Sequence, residues 1–140
     1  MAKESGLAWS AFSVDDSGGT LRDIRNDTRN LEIATPRAVD VVTGIDKSAE
    51  ERLLLIADMS VTASGKFNDA ANASHDVFKT ATSTSVAREI SLSHSGQILG
   101  TSPQVTVLIT DYGLTRNDDG ALDWKVPMVL ANGEVPTWST

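Results

Sequence analysis

From Leu53 to Lys66 the sequence alternates. Leu53, Leu55, Ala57, Met59, Val61 and Ala63 fall on one side of an extended chain, with Asp58, Ser60, Thr62, Ser64 and Lys66 on the other. A chain with this pattern needs a sheet that buries one side. Read as a single strand it would run about 43 Å at about 3.3 Å per residue, well beyond the usual length of about 5–6 residues, and that suits a tilted barrel wall better than a small sandwich. Its polar side is made mostly of small hydroxyls, so it is wettable and nearly flat. The chain then turns between Gly65 and Asp69. Ala70, Ala73, Ser74, Val77, Phe78 and Ala81 follow at spacings of three and four and predict a short Ala-rich helix, capped by Asn68 or Asp69 and dependent on packing against the sheet.

At 140 residues with 40% hydrophobic content, the chain reads as one domain with a proper core. Its longest apolar run, Leu53 to Ala57, is far short of a membrane span. Met1 to Gly6 lacks the apolar core of a secretory signal, so the expected site of synthesis is a cytoplasm, with nothing directing export. Cysteine is absent, which excludes disulfides and thiolate metal sites. A formal charge of −7 argues against a protein that grips nucleic acid by counterion release.

Along the chain, Trp9 to Val14 and Thr20 to Ile24 flank Asp15-Asp16-Ser17-Gly18-Gly19 and predict a first hairpin. Arg22 to Asn30 is crowded with alternating charges, either a solvated loop or edge strand or a salt-bridged contact with a neighbouring subunit. Leu31, Ile33, Val39 and Val41 predict a strand interrupted by Pro36. Ser48 and Glu51 match a capping box, predicting one helical turn in an exposed loop. After the linker Ala81 to Ser85, Val86, Ile90 and Leu92 alternate with Ala87, Glu89, Ser91 and Ser93, with Arg88 an exception on the apolar side. Val105 to Leu114 is apolar on both sides and predicts a strand covered twice. Asn117-Asp118-Asp119-Gly120 marks the clearest hairpin, leading into Leu122, Trp124, Val126, Met128 and Leu130, where Pro127 calls for an edge or a bulge.

No catalytic constellation emerges. His75 and His94 have no ligand-like spacing, and the neighbours His75 and Asp76 point in different directions on a helix. There is no nucleophile elbow and no phosphate-binding glycine loop. Asp15-Asp16-Ser17-Gly18 and Asp118-Asp119-Gly120 lack the remaining ligands of a calcium loop. The reading is therefore a non-enzyme without catalytic residues, metal or cofactor. Trp9, Trp124 and Trp138 could mark a carbohydrate platform, but Trp124 lies on the apolar register of its strand. Trp138, in a tail with little apolar support, is the better candidate for docking on another chain.

Several pieces, taken in order, resemble the major tail tube proteins of long-tailed, non-contractile (siphovirus-type) bacteriophages. They are Asp15 to Ile24, the Val42-Thr43-Gly44 loop, the Asn68-Asp69-Ala70 turn with Ser74-His75-Asp76-Val77-Phe78, and the closing run through Leu114-Thr115-Arg116, Asp119-Gly120-Ala121-Leu122, Trp124, Ala131-Asn132-Gly133 and Trp138. The resemblance covers Trp9 to Trp138. It implies a mainly β fold, a β-sandwich or partial barrel with one short flanking α-helix. It also implies six-membered rings stacked into a hollow tube through which the genome passes, a virion-tail location, and tape-measure, tail-terminator and tail-tip proteins as partners.

On that resemblance, Asp58, Ser60, Thr62 and Ser64, with Glu89, Ser91 and Ser93, are expected to line the lumen, offering hydroxyls and repulsive charge so that DNA slides through without sticking. Arg22, Arg25, Arg37, Asp46, Lys47, Glu51 and Trp138 are expected at contacts between subunits. Residues 1–8, 36–52 and 134–140 are the expected N-terminal arm, inter-subunit loop and C-terminal tail, ordered by assembly. Edges of the sheet would be completed by neighbouring copies. The competing readings are another tube-forming or tail-terminator ring protein, and a monomeric β-sandwich that binds carbohydrate.

Overall fold

The computed structural model describes residues 3–84, 86–100 and 105–139. Met1 and Ala2 of the expected arm, Ser85 of the linker and Thr140 of the tail lie outside them. In chain order the elements are β1 (Trp9–Asp15), β2 (Leu21–Asp23), a 3-10 turn (Arg25–Asp27), β3 (Thr28–Ala34), β4 (Arg37–Val41), β5 (Arg52–Ala57), β6 (Ser60–Lys66) and α1 (Ser74–Phe78). After the helix come β7 (Arg88–His94), β8 (Gln97–Leu99), β9 (Val105–Ile109), β10 (Gly113–Arg116), β11 (Leu122–Leu130) and β12 (Trp138–Ser139). Every pairing is antiparallel. The main sheet runs β2-β1-β7-β9-β11-β6-β3; β8 shares an edge of β7 with β9 and carries β12, and β10 shares an edge of β11 with β9. Among the described residues β4 and β5 pair only with each other.

Strict alternation builds the core. Phe12 and Val14 of β1, Met59 with Val61 and Ala63 of β6, Ile90 and Leu92 of β7, Val105 and Val107 of β9, and Trp124, Val126 and Met128 of β11 meet Val77 and Phe78 of α1 in one cluster. Because β1, β3, β6, β7, β9 and β11 all send an inner side to the same cluster, the sheet wraps it as a partial barrel with the helix packed against it. The mainly β fold with one short helix is as the sequence suggests. So are the β1–β2 hairpin, the turn at Gly120 (φ +91°) between β10 and β11, and the burial of Trp124, whose Nε1 donates to the Lys66 carbonyl at 2.9 Å.

Four expectations fail, each for a local reason. The long strand is two strands: Asp58 accepts its neighbour's amide, Met59 N–H, at 2.7 Å and donates its own N–H to the Pro36 carbonyl, which closes the base of the β4–β5 hairpin and parts it from β6. The capping-box helix does not form. Thr43 Oγ1 takes the Glu51 amide at 2.9 Å inside the hairpin turn, so Glu51 closes a β ribbon. α1 spans only Ser74–Phe78 with Ala73 at its N-cap, neither Asn68 nor Asp69. The apolar stretch Val105 to Leu114 is β9 and β10 with one side covered, since Leu108 and Leu114 are exposed.

Pro127 explains that last break. It lies in a strand paired along β6, opposite Thr62, and its carbonyl accepts Thr110 N–H on the other edge. A strand residue points its N–H and C=O to the same edge, so the missing proline donor falls where β9 and β10 part, and an interior strand tolerates it.

The sheet and the 3-10 turn touch at Gly65. A Cβ there would lie 1.8 Å from the Asp27 carbonyl oxygen. Gly65→Ala is expected to cost about 3 kcal/mol or more by overpacking against backbone, whereas Gly6→Ala, with open space around its Cβ position, should leave the melting temperature within a degree or so. Thermal unfolding followed by circular dichroism compares the two.

Candidate functional site

Two buried charged groups tie the helix region to the sheet. Asp27 is buried, not part of a solvated loop; Asn68 Nδ2 donates to its Oδ1 at 2.9 Å and the Ser74 amide to its Oδ2 at 3.0 Å. A carboxylate from 47 residues away thus takes the place of a local cap. Arg88 Nη1 donates to the Asp15 carbonyl at 2.8 Å and the Val77 carbonyl at 2.7 Å, and Nη2 to Thr80 Oγ1 at 3.2 Å. It therefore joins the end of β1 to the C-terminal end of α1. Burial pulls the Arg88 pKa below its usual value, opposed by the charges of Asp15 and Asp16.

These ties fix the outer side of β6. Ser60, Thr62 and Ser64 are half-exposed there, and pairing sets Ala34, Glu32 and Asn30 of β3 beside them on one flank and Val129, Pro127 and Lys125 of β11 on the other. At the far end Lys66 Nζ meets Asp123 Oδ1 at 2.6 Å, and Asn117 Nδ2 donates to Asp123 Oδ2 at 2.7 Å. Lys66 and Asn117 hold the Asp123 carboxyl below the usual range, with Arg29 adding to the effect. Glu89, Ser91 and Ser93 share the outer side of the same sheet, on β7, but β11 and β9 intervene. Asp58 is exposed at the hinge of the hairpin.

The β4–β5 hairpin stands outside the core. Ile56 is 85% exposed, Leu54 59% and Leu53 53%, and Val39, Val41, Val42 and Ile45 are exposed as well. Register pairs Val39 with Leu54, and Asp40 with Leu53, so apolar side chains occur on both faces of the ribbon. Arg37 Nε donates to the Leu55 carbonyl within the hairpin at 3.0 Å, and Lys47 pairs with Asp46 at 3.6 Å near its tip. Glu51 lies at the start of β5's return. Arg22 and Arg25 are engaged within the chain, with Asp16 and Asp23 respectively, each at 2.9 Å. Trp138 is not in a loose tail: β12 pairs Trp138 with Leu99, and its half-exposed ring borders an open cleft of about 630 Å³ with Trp9, His94, Glu4 and Gln97.

Among the described residues no three His, Cys, Asp or Glu side chains are grouped to hold a metal, and no helix is long and apolar enough to cross a membrane. His75 is a packing residue, with Nδ1 2.9 Å from Tyr112 Oη and its ring against Phe67. His94 stacks edge-on against Trp9.

No protein-family model and no curated protein sequence matches this chain. Solved structures do match its fold. A chain in the tail of an empty GTA particle, computed with helical refinement in C6 symmetry, superposes with a TM-score of 0.73 at 16% identity, covering 99% of this chain and all (100%) of that one. A chain of the native gene transfer agent (GTA) virion gives 0.69 at 15% identity, covering 99% and 100%. The fold is that of a gene transfer agent tail chain. At such identity the likeness is of fold, end to end, with no large insertion on either side.

Asp16, Asp23, Asp76 and Asp123 all sit below the ordinary carboxyl value, through hydrogen bonds from Thr20 and Arg22, from Arg25, from Lys79, and from Lys66 and Asn117. A depressed folded-state pKa stabilises above the unfolded value and ceases to do so as pH falls through the folded one. The melting temperature should therefore be flat near neutrality and fall below about pH 4. Asp123→Asn should make that acid-side fall shallower; an unchanged slope would show the Lys66 pair to be irrelevant to stability.

Proposed function

We propose that this chain is a structural subunit of a phage-like tail tube, assembling as stacked six-membered rings around a channel that conducts DNA. One observation carries the reading: the β4–β5 hairpin, a two-stranded ribbon with uncovered Val and Leu side chains on both faces. Isolated ribbons of this kind are marginal in water, and apolar surface so exposed marks a protein interface. A second copy is the natural cover, because a chain that leaves an apolar arm on one side and open sheet edges on another builds rings and filaments by repetition. The gene transfer agent tail whose fold this chain shares is itself an assembly of C6 symmetry.

In this assembly the hairpin, bearing Arg37, Asp46, Lys47 and Glu51, bridges subunits. The outer face of β6, with Ser60, Thr62 and Ser64, lines the channel. Glu89, Ser91 and Ser93, on the outer side of β7 beyond two intervening strands of the same sheet, extend that lining in this reading. Arg22 and Arg25, already paired within the chain, contribute shape more than charge. The tape-measure, tail-terminator and tail-tip proteins are the partners, and the virion tail is the location. The competing reading as a monomeric carbohydrate module draws on the cleft between Trp9 and Trp138 but leaves the hairpin without a role.

Leu54→Ser with Ile56→Ser changes two side chains outside the core. The expected outcome is loss of rings and tubes in negative-stain micrographs, with the melting temperature of the free chain unchanged or slightly raised. Tubes of normal yield from this variant would exclude the hairpin as the joint, and a wild-type protein that stays monomeric at high concentration would exclude the tube.

A further inference from the structure

We infer that the cleft at the Lys66 end of β6 is a binding site for the phosphodiester backbone of DNA. It has a volume of about 480 Å³ and is lined by Arg29, Lys66, Lys125, Asp123, Ser64 and Thr115, with Trp124 behind them. Three cations face one carboxylate here, in a chain whose formal charge is −7. The local sign is reversed.

The single carboxylate does not cancel the cluster. Asp123 is already taken by Lys66 Nζ at 2.6 Å and Asn117 Nδ2 at 2.7 Å, and among the described residues no ion pair engages Arg29 or Lys125, both exposed. Register holds the cations together: Asp123 pairs with Lys66 and Lys125 with Ser64, so Lys66 and Lys125 are diagonal cross-strand neighbours within reach of one anion. The Ser64 and Thr115 hydroxyls add neutral donors. Such a set, a fork-shaped guanidinium beside two ammonium groups and hydroxyls, suits phosphate oxygens. It includes no exposed aromatic to stack a base and nothing that reads base edges, so the contact is to backbone and independent of sequence.

The β6 stripe is consequently polarised, with Glu32 beside Thr62 and Asp58 beyond one end, and the basic cleft at the other. If the stripe lines a channel, as proposed above, each ring carries a belt of cationic clefts that hold DNA weakly where the rest of the lining repels it. That placement rests on the tube reading; the binding itself does not.

The test uses the full chain, free and at concentrations where assemblies are scored by negative stain, with a short labelled DNA duplex as probe and fluorescence anisotropy at rising salt. Wild-type free chain should bind at low salt, and Arg29→Gln with Lys125→Gln should weaken binding and lower the slope of log affinity against log salt by about two. Lys79→Gln, next to α1 and outside the cleft's lining, should leave DNA binding unchanged. Absence of wild-type binding at low salt, or a slope left intact in the double variant while its melting curve matches wild type, overturns the inference. Failure to form tubes would count against the assembly alone, because the free-chain titration still decides the cleft.

Discussion

The described residues share one core, and β1, β3, β6, β7, β9 and β11 all contribute to it. The β4–β5 ribbon does not. Among the described residues its two strands pair only with each other, its base is closed by Asp58 and the Pro36 carbonyl, and its Val, Leu and Ile side chains lie outside the core and stay largely exposed. A two-layer domain buries apolar side chains by laying one layer on another, and a single ribbon has no second layer. In the proposed assembly a second copy buries it. On that reading the main domain is the rigid body that aims the arm, and the arm's stability is coupled to the copy that covers it.

The rigidity has a visible source. Gly65 lets β6 lie directly on the Asp27 carbonyl, and the Asp27 carboxylate organises the Asn68 turn and the first amide of α1. On the opposite flank Arg88 joins α1 to β1 through backbone carbonyls. A short helix with weak intrinsic stability is thereby fixed by two buried, well-bonded charges, one at each end. Truncating either would leave its partners desolvated and unpaired.

Much of this architecture is legible in the residue pattern and some is not. Alternation located the inner sides of β6, β7 and β11, the buried position of Arg88, and the turns at Asp15 to Gly19 and Asn117 to Gly120. The same alternation misled at Leu53 to Ala57, where Leu54 and Ile56 between the assigned apolar positions are just as apolar; a ribbon greasy on both faces was the signal, and it implied a partner. The role of Asp27 was invisible because its ligands lie 41 and 47 residues downstream. Likewise the small-hydroxyl stripe of β6 shows one cation, Lys66, in one dimension. Register brings Lys125 beside Ser64, and no local pattern encodes which strands become neighbours.

Hydrogen–deuterium exchange of the hairpin amides, measured on the dispersed chain and again on concentrated assemblies, distinguishes a ribbon covered by a second copy from one that stays bare. Val42 and Arg52 to Ala57 should exchange fast in the dispersed chain and become nearly fully protected after assembly, with little change in β6 and β11. Hairpin amides that are equally protected in a monodisperse monomer, or that stay unprotected within assemblies, would contradict burial of the ribbon by a second copy.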